Sequence, residues 1–183
     1  MAAIDANVAM KTAFKMLYVP PDGKISREHF EKYATRLRNE VKNLNPVEAE
    51  KVYHAVMAIS DVLGLDKNAK DGGMSYTIRE AEIARRVAAH SELPEASRVL
   101  STALFKAINT KGDQHIQKSE WSAYLKVRNT YTSEEQAQQS FDSIDKNKDG
   151  KLSLEEFNAN DVDFWCNLGE ELESQDLFGT KSL

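Results

Sequence analysis

The sequence predicts an all-α protein of four helix-loop-helix units in two paired lobes, compact, with a C-terminal tail packed on the core. Three observations predict it. Apolar residues recur three and four positions apart through most of the 183 residues, the period of a helix face. The segment Asp145-Lys-Asn-Lys-Asp-Gly-Lys-Leu-Ser-Leu-Glu-Glu156 places oxygen-bearing side chains at loop positions 1, 3, 5, 9 and 12, with glycine at position 6. Three upstream segments keep parts of that pattern, so that the four loops start at residues 18, 69, 109 and 145.

The first unit contains Tyr18-Val-Pro-Pro-Asp-Gly-Lys-Ile-Ser-Arg-Glu-His29, in which Asp22, Gly23, Ile25 and Ser26 fit the second half of the loop. Tyr18, Pro20 and His29 stand where cation ligands belong, and this loop is expected not to bind calcium. In the second unit, Tyr76 at position 8 and Glu80 at position 12 put Ala69 at position 1 and Gly73 at position 5. A start at Asp66 instead leaves Lys70 and Thr77 in ligand places, so neither register completes a site. Ile25 and Tyr76 are expected to bridge these two loops. Pro46 and Pro94 fall at helix starts, where a missing N–H costs little. The stretch Ser91-Glu-Leu-Pro94 divides the chain into an N-terminal pair (1–92), a C-terminal pair (93–160) and a tail (161–183).

The third unit has Val99, Leu100, Ala103, Leu104, Ala107 and Ile108 before its loop and Trp121, Tyr124 and Leu125 after it. In the loop at 109–120, Asn109 holds position 1, Lys111 puts an ammonium at position 3, and Gln114 replaces the turn glycine. Asp113 and Glu120 are its only carboxylates at ligand positions. A lysine beside a cation removes electrostatic stabilisation, so this loop reads as one kept for its shape. In the fourth unit Ala137, Phe141 and Ile144 precede the loop, and Leu154 and Phe157 follow it. Thr132-Ser133-Glu134-Glu135 offers a capping box at the entering helix, and Ser153 with Glu156 offers another at the exiting one.

The chemistry of the fourth loop is specific. Asp145, Asn147 and Asp149 aim side-chain oxygens at a hard cation, and Gly150 permits the sharp turn. Lys151 would give its backbone carbonyl, Ser153 would act through water, and Glu156 would grip with both oxygens. The expected cofactor is Ca2+. Three lysines (Lys146, Lys148, Lys151) offset most of the charge of Asp145, Asp149, Glu155 and Glu156. A dissociation constant of about 10⁻⁷–10⁻⁵ M follows from so modest a net charge. Leu152 at position 8 is placed to pair with Ile116 of the third loop.

Other chemistries find little support. The net charge of -5 is spread among interspersed residues, which argues against nucleic acid, and Arg85-Arg86 reads as one turn of a solvated helix. A single cysteine, Cys166, fits a reducing compartment. There is no apolar signal core, no span of membrane length and no glycine at position 2 for a lipid anchor, so a cytoplasmic protein is expected. His29, His54, His90 and His115 lack metal spacing, and no nucleophile–base pattern or phosphate loop occurs. The protein is expected not to be an enzyme.

The intact loop and its flanks resemble the EF-hand superfamily and, within it, the sarcoplasmic calcium-binding proteins. The resemblance rests on Ser140-Phe-Asp-Ser-Ile-Asp145 leading into the loop, then Leu154-Glu-Glu-Phe157, Asp163-Phe-Trp165 and Leu177-Phe-Gly179. Coelenterate luciferin-binding proteins and calcium-regulated photoproteins share this layout. It implies a monomeric intracellular calcium buffer or signal modulator, here with one dominant site where relatives keep two or three. The alternatives are a carrier of a hydrophobic small molecule and a calcium sensor for a dedicated protein partner. All five methionines lie at or before Met74, which speaks against a methionine-rich target groove beside the intact loop. Tyr18, Phe30, Tyr33, Trp121, Tyr124 and Trp165 suit either a pocket or an ordinary core. Photoproteins hold their chromophore with His-Trp-Tyr groupings. Here Trp165 matches, but Asp161 replaces the histidine and Phe178 stands where a tyrosine is wanted, so light emission is not expected.

Overall fold

In the computed structural model the described residues are 24–65, 75–128 and 133–166. They form seven helices and four very short strands. In chain order these are β1 (Lys24–Ser26), α1 (Arg27–Lys42), α2 (Pro46–Val62), β2 (Ser75–Thr77), α3 (Ile78–Ala89), α4 (Leu93–Ile108), β3 (Ile116–Gln117), α5 (Lys118–Arg128), α6 (Glu134–Ile144), β4 (Lys151–Leu152) and α7 (Leu154–Cys166). The all-α expectation holds. No helix among the described residues is long and apolar enough to cross a membrane.

Local sequence explains where the helices begin. Asn45 accepts from the N–H groups of Val47 and Glu48, and Pro46 follows it at the first helical position of α2. Thr77 and Glu80 form a reciprocal box at α3, and Ser133 and Gln136 do so at α6. The α6 box thus starts one residue later than the Thr132–Glu135 pairing read from sequence; Thr132 lies outside the described residues. At α1 the Ser26 N–H donates to His29 Nδ1 at 3.0 Å. His29 therefore takes the capping part that a glutamate plays in the other units.

Each short strand pair ties two loops together. Ile25 faces Tyr76 in the antiparallel β1–β2 pair, and Ile116 faces Leu152 in β3–β4. Both pairings match the expected position-8 partners. Residues 18–23 and 69–74 of the first two loops, including Tyr18, Pro20, Ala69 and Gly73, lie outside the described residues.

One apolar core runs through all seven helices. Phe30, Leu37 and Val41 repeat along one face of α1, and Val52, Val56 and Ile59 along α2; all six are fully buried. Helix α2 packs between α1 and α4, and α4 packs in turn on α7. The core therefore crosses the Ser91–Pro94 junction without interruption. Helix α7 continues through residues 161–166, where sequence reading began the tail.

Two readings from sequence are corrected here. Val99, counted with the core stripe of α4, is 51 % exposed. Arg85 is not solvated: it is 3 % exposed, and its guanidinium donates to the carbonyls of Trp165 and Cys166 at 3.1 and 2.5 Å. A buried cation thus holds two carbonyls of the last described turn of α7.

Candidate metal centre

Helix α6 delivers Asp145 to the start of the loop at 145–156, with the Asp145 N–H still donating to Phe141 O at 3.0 Å. Asp145 is buried, and its carboxylate faces into the turn. Oδ2 accepts from Gly150 N at 2.9 Å and Oδ1 from Asp149 N at 3.2 Å. Asn147 Oδ1 accepts from Asp149 N at 2.9 Å, and Asp149 Oδ1 from Lys151 N at 2.9 Å. Backbone N–H groups so fix each side chain at positions 1, 3 and 5 along the inside of the turn.

Glu156 closes the far side. Its Oε1 accepts from Lys146 N at 3.1 Å and Asn147 N at 3.3 Å, ten and nine residues earlier. Its Oε2 accepts from the Ser153 N–H at 3.0 Å and the Ser153 hydroxyl at 2.8 Å, while Glu156 N donates back to Ser153 Oγ at 3.2 Å. Burial opposes ionisation of Glu156, but the hydrogen bonds from Ser153 and Asn147 outweigh it and hold the carboxyl below its ordinary value. The capping box therefore also presents a carboxylate, already charged, across the loop.

The structure brings Asp145, Asn147, Asp149, Lys151, Ser153 and Glu156 into this one twelve-residue turn. The donor set is all oxygen and fits a hard cation of calcium's size better than a thiophilic metal. As they stand, no three carboxylate, imidazole or thiol groups among the described residues are gathered closely enough to hold an ion.

The loop at 109–120 has the same backbone with different chemistry. Gly112 and Gln114 adopt left-handed φ of 70° each, at positions 4 and 6, where the intact loop has Lys148 at 59° and Gly150 at 80°. Only the place of the glycine has moved. Glu120 is 7 % exposed and is satisfied by protein alone: Oε1 accepts from the Thr110 hydroxyl and Lys111 N, each at 3.0 Å, and Oε2 from Gln117 N at 2.9 Å. Gln117 Nε2 donates to Asp113 Oδ2 at 3.2 Å. Both ligand-type carboxylates serve as fasteners within the loop.

The exit helix carries the site inward. Phe157 meets Phe105 and Trp121 edge to face at 5.9 and 6.0 Å, and Trp121 lies against Tyr124 at 5.4 Å. One turn further, Asp161 is completely buried, with the Ser97 hydroxyl donating to its Oδ2 at 3.2 Å. Burial pushes its carboxyl up to about 8 despite the opposing pull of Ser97 and Trp165. Asp161 Oδ1 and Trp165 Nε1 are both buried without a well-formed hydrogen bond among the described residues. Sequence reading saw Asp161 only as a replaced histidine. Its periodicity with Phe157, Phe164 and Trp165 on α7 was the signal for its burial. Arg128 was not singled out at all: its guanidinium lies over the rings of Tyr33 and Tyr124 at 5.8 and 5.9 Å, joining α5 to α1. Phe178 lies outside the described residues.

Comparison with known proteins places this geometry. The EF-hand domain pair family matches residues 99–159, which span both loops of the β3–β4 pair. The luciferin-binding protein of Renilla reniformis is 27 % identical over 173 residues, covering 93 % of this chain and 91 % of that protein. Calcium-loaded apo-aequorin from Aequorea victoria superposes with a TM-score of 0.72 at 22 % identity, over 92 % of this chain and 96 % of that one. The calcium-loaded apo form of the coelenterazine-binding protein from Renilla muelleri gives a TM-score of 0.57 at 26 % identity, over 95 % and 94 %. Residues 99–159 are thus an EF-hand domain pair with calcium as its cofactor, set in a chain that has the fold of the luciferin-binding proteins and photoproteins.

Proposed function

We propose that the protein binds one calcium ion at 145–156 and acts as a modulator of calcium signals. Asp145, Asn147, Asp149 and Glu156 would supply side-chain oxygens, Lys151 its carbonyl, and Ser153 a water-mediated contact. The observation that carries this reading is Glu156, held across the loop by N–H groups of Lys146 and Asn147 at its opposite end. The loop at 109–120 supports one site rather than two, since Asn109 and Lys111 put a neutral amide and an ammonium at positions 1 and 3, where the intact loop has Asp145 and Asn147. One ion per chain favours signalling over bulk buffering.

Isothermal titration should give a stoichiometry near one and a dissociation constant of about 10⁻⁷–10⁻⁵ M. Glu156→Gln should weaken binding at least a hundredfold while leaving the far-UV circular dichroism unchanged. Two strong sites, or wild-type affinity in Glu156→Gln, would refute the assignment.

A second reading is favoured by the Renilla reniformis relative, whose name is luciferin-binding protein and which aligns over 93 % of this chain. In that reading the chain carries a hydrophobic small molecule against Trp121, Tyr124 and Trp165, with the buried Asp161 and Trp165 polar atoms as its anchors. Tryptophan fluorescence on adding coelenterazine tests it: saturable quenching at micromolar ligand supports a carrier, and none at solubility-limited ligand removes the reading.

A further inference from the structure

The loop at 109–120 repeats the internal bonding of the loop at 145–156 without the side chains that would draw an ion to positions 1 and 3. Glu120 accepts from Lys111 N and Gln117 N, at positions 3 and 9, as Glu156 accepts from Asn147 N and Ser153 N. His115 N donates to Asp113 Oδ1 at 3.2 Å, as Lys151 N does to Asp149 Oδ1 at 2.9 Å. At position 2 the two loops differ. The fourth uses the Lys146 N–H, whereas the third uses the Thr110 hydroxyl, which donates to Glu120 Oε1 at 3.0 Å.

Gln117 joins this arrangement to the fourth loop. Its N–H is held by Glu120 at 2.9 Å, and its side-chain amide donates to Asp113 Oδ2 at 3.2 Å. In the β3–β4 register it stands opposite Lys151, whose carbonyl the fourth loop would offer to an ion. Beside that pair Ile116 faces Leu152, and both are fully buried. One residue, Gln117, therefore links Glu120 to the backbone of a calcium ligand. We propose that Glu120 is a positioning residue for the ion at 145–156. With Thr110 it fastens the third loop in the absence of calcium, so that β3 holds the Lys151 backbone in place beforehand. Backbone ordered in advance need not be ordered on binding, which raises affinity. Glu120 acts through Gln117, and the inference rests on the function proposed above.

The test compares the full chain with Glu120→Gln, Thr110→Val and Thr110→Ser by calorimetry with calcium chloride. Glu120→Gln should bind about tenfold more weakly with an unchanged stoichiometry, as the loss of a charged acceptor requires. Thr110→Val alters one exposed side chain, keeps every charge, and should weaken binding about threefold. Thr110→Ser restores the hydroxyl and should return the wild-type affinity. In calcium-free buffer, amide hydrogen exchange in Glu120→Gln should quicken at Gln117 and at residues 151–153, with α1 and α2 unchanged. Wild-type affinity in Thr110→Val would trace any loss in Glu120→Gln to the removed charge and overturn the positioning role. Unaltered exchange at residues 151–153, or equal acceleration in every helix, would overturn it as well. So would a fall from two ions to one in Glu120→Gln, which would make Glu120 a ligand of its own site. Glu156→Gln separates the claims. An ion retained in that variant sinks the function proposed above; an ion lost there but bound normally by Glu120→Gln and Thr110→Val sinks the positioning role alone.

Discussion

At the residue scale, chemistry near the ion follows spacing, while chemistry inside the core follows burial. Asp161 shows the second case. An unfolded aspartate ionises near pH 4, but the buried one keeps its proton up to about 8. Between those values the unfolded chain binds fewer protons than the folded one, so stability falls as pH rises and levels off above the upper value. Asp161→Asn removes the titration while keeping the shape and the Ser97 contact. In calcium-free buffer, urea unfolding at pH 5 and pH 8 should show the variant losing less stability across the interval than the wild type. A parallel loss in both proteins would mean that Asp161 is ionised where it lies.

At the element scale, the two ends of α7 do different work. Its N-terminus is a capping box made of calcium-type ligands, Ser153 and Glu156. Its last described turn is held from 80 residues away by buried Arg85. The first is local and was legible in the sequence, because twelve consecutive residues carry every part of it. The second was not. An Arg-Arg pair on a helix reads as solvated until the fold brings two buried carbonyls to the guanidinium of Arg85. Val99 failed for the converse reason, since periodicity marks a face without showing whether another helix covers it. Gln114 explains a milder case. The missing glycine of the third loop had moved two positions to Gly112, and only backbone dihedrals reveal that the turn survived. Replacing Arg85 by methionine keeps the aliphatic stem and deletes these two hydrogen bonds, at a cost of about 1–3 kcal/mol. Hydrogen exchange should then quicken in α7 and α3, with the exchange of β3–β4 unchanged; equal acceleration everywhere would show a global loss instead.

At the scale of the whole molecule, the continuity of the core decides how calcium is felt. Sequence alone gave four units and the pairing of their loops, Ile25 with Tyr76 and Ile116 with Leu152. It did not show that α4 would pack on both α2 and α7, since tertiary contacts between units leave no periodic mark. With Val52 and Ile59 in the same cluster as Leu100, Phe157 and Phe164, the halves lack separate cores that could melt apart. An ion bound near the C-terminus therefore stabilises the entire fold. At a ligand concentration a thousand times the dissociation constant, linkage supplies about 4 kcal/mol. Differential scanning calorimetry should show one transition both without calcium and in millimolar calcium, displaced upward as a single peak by the ion. A second peak that stays fixed while the first rises would mean that α1 and α2 unfold on their own, and the shared core would not be the unit of stability.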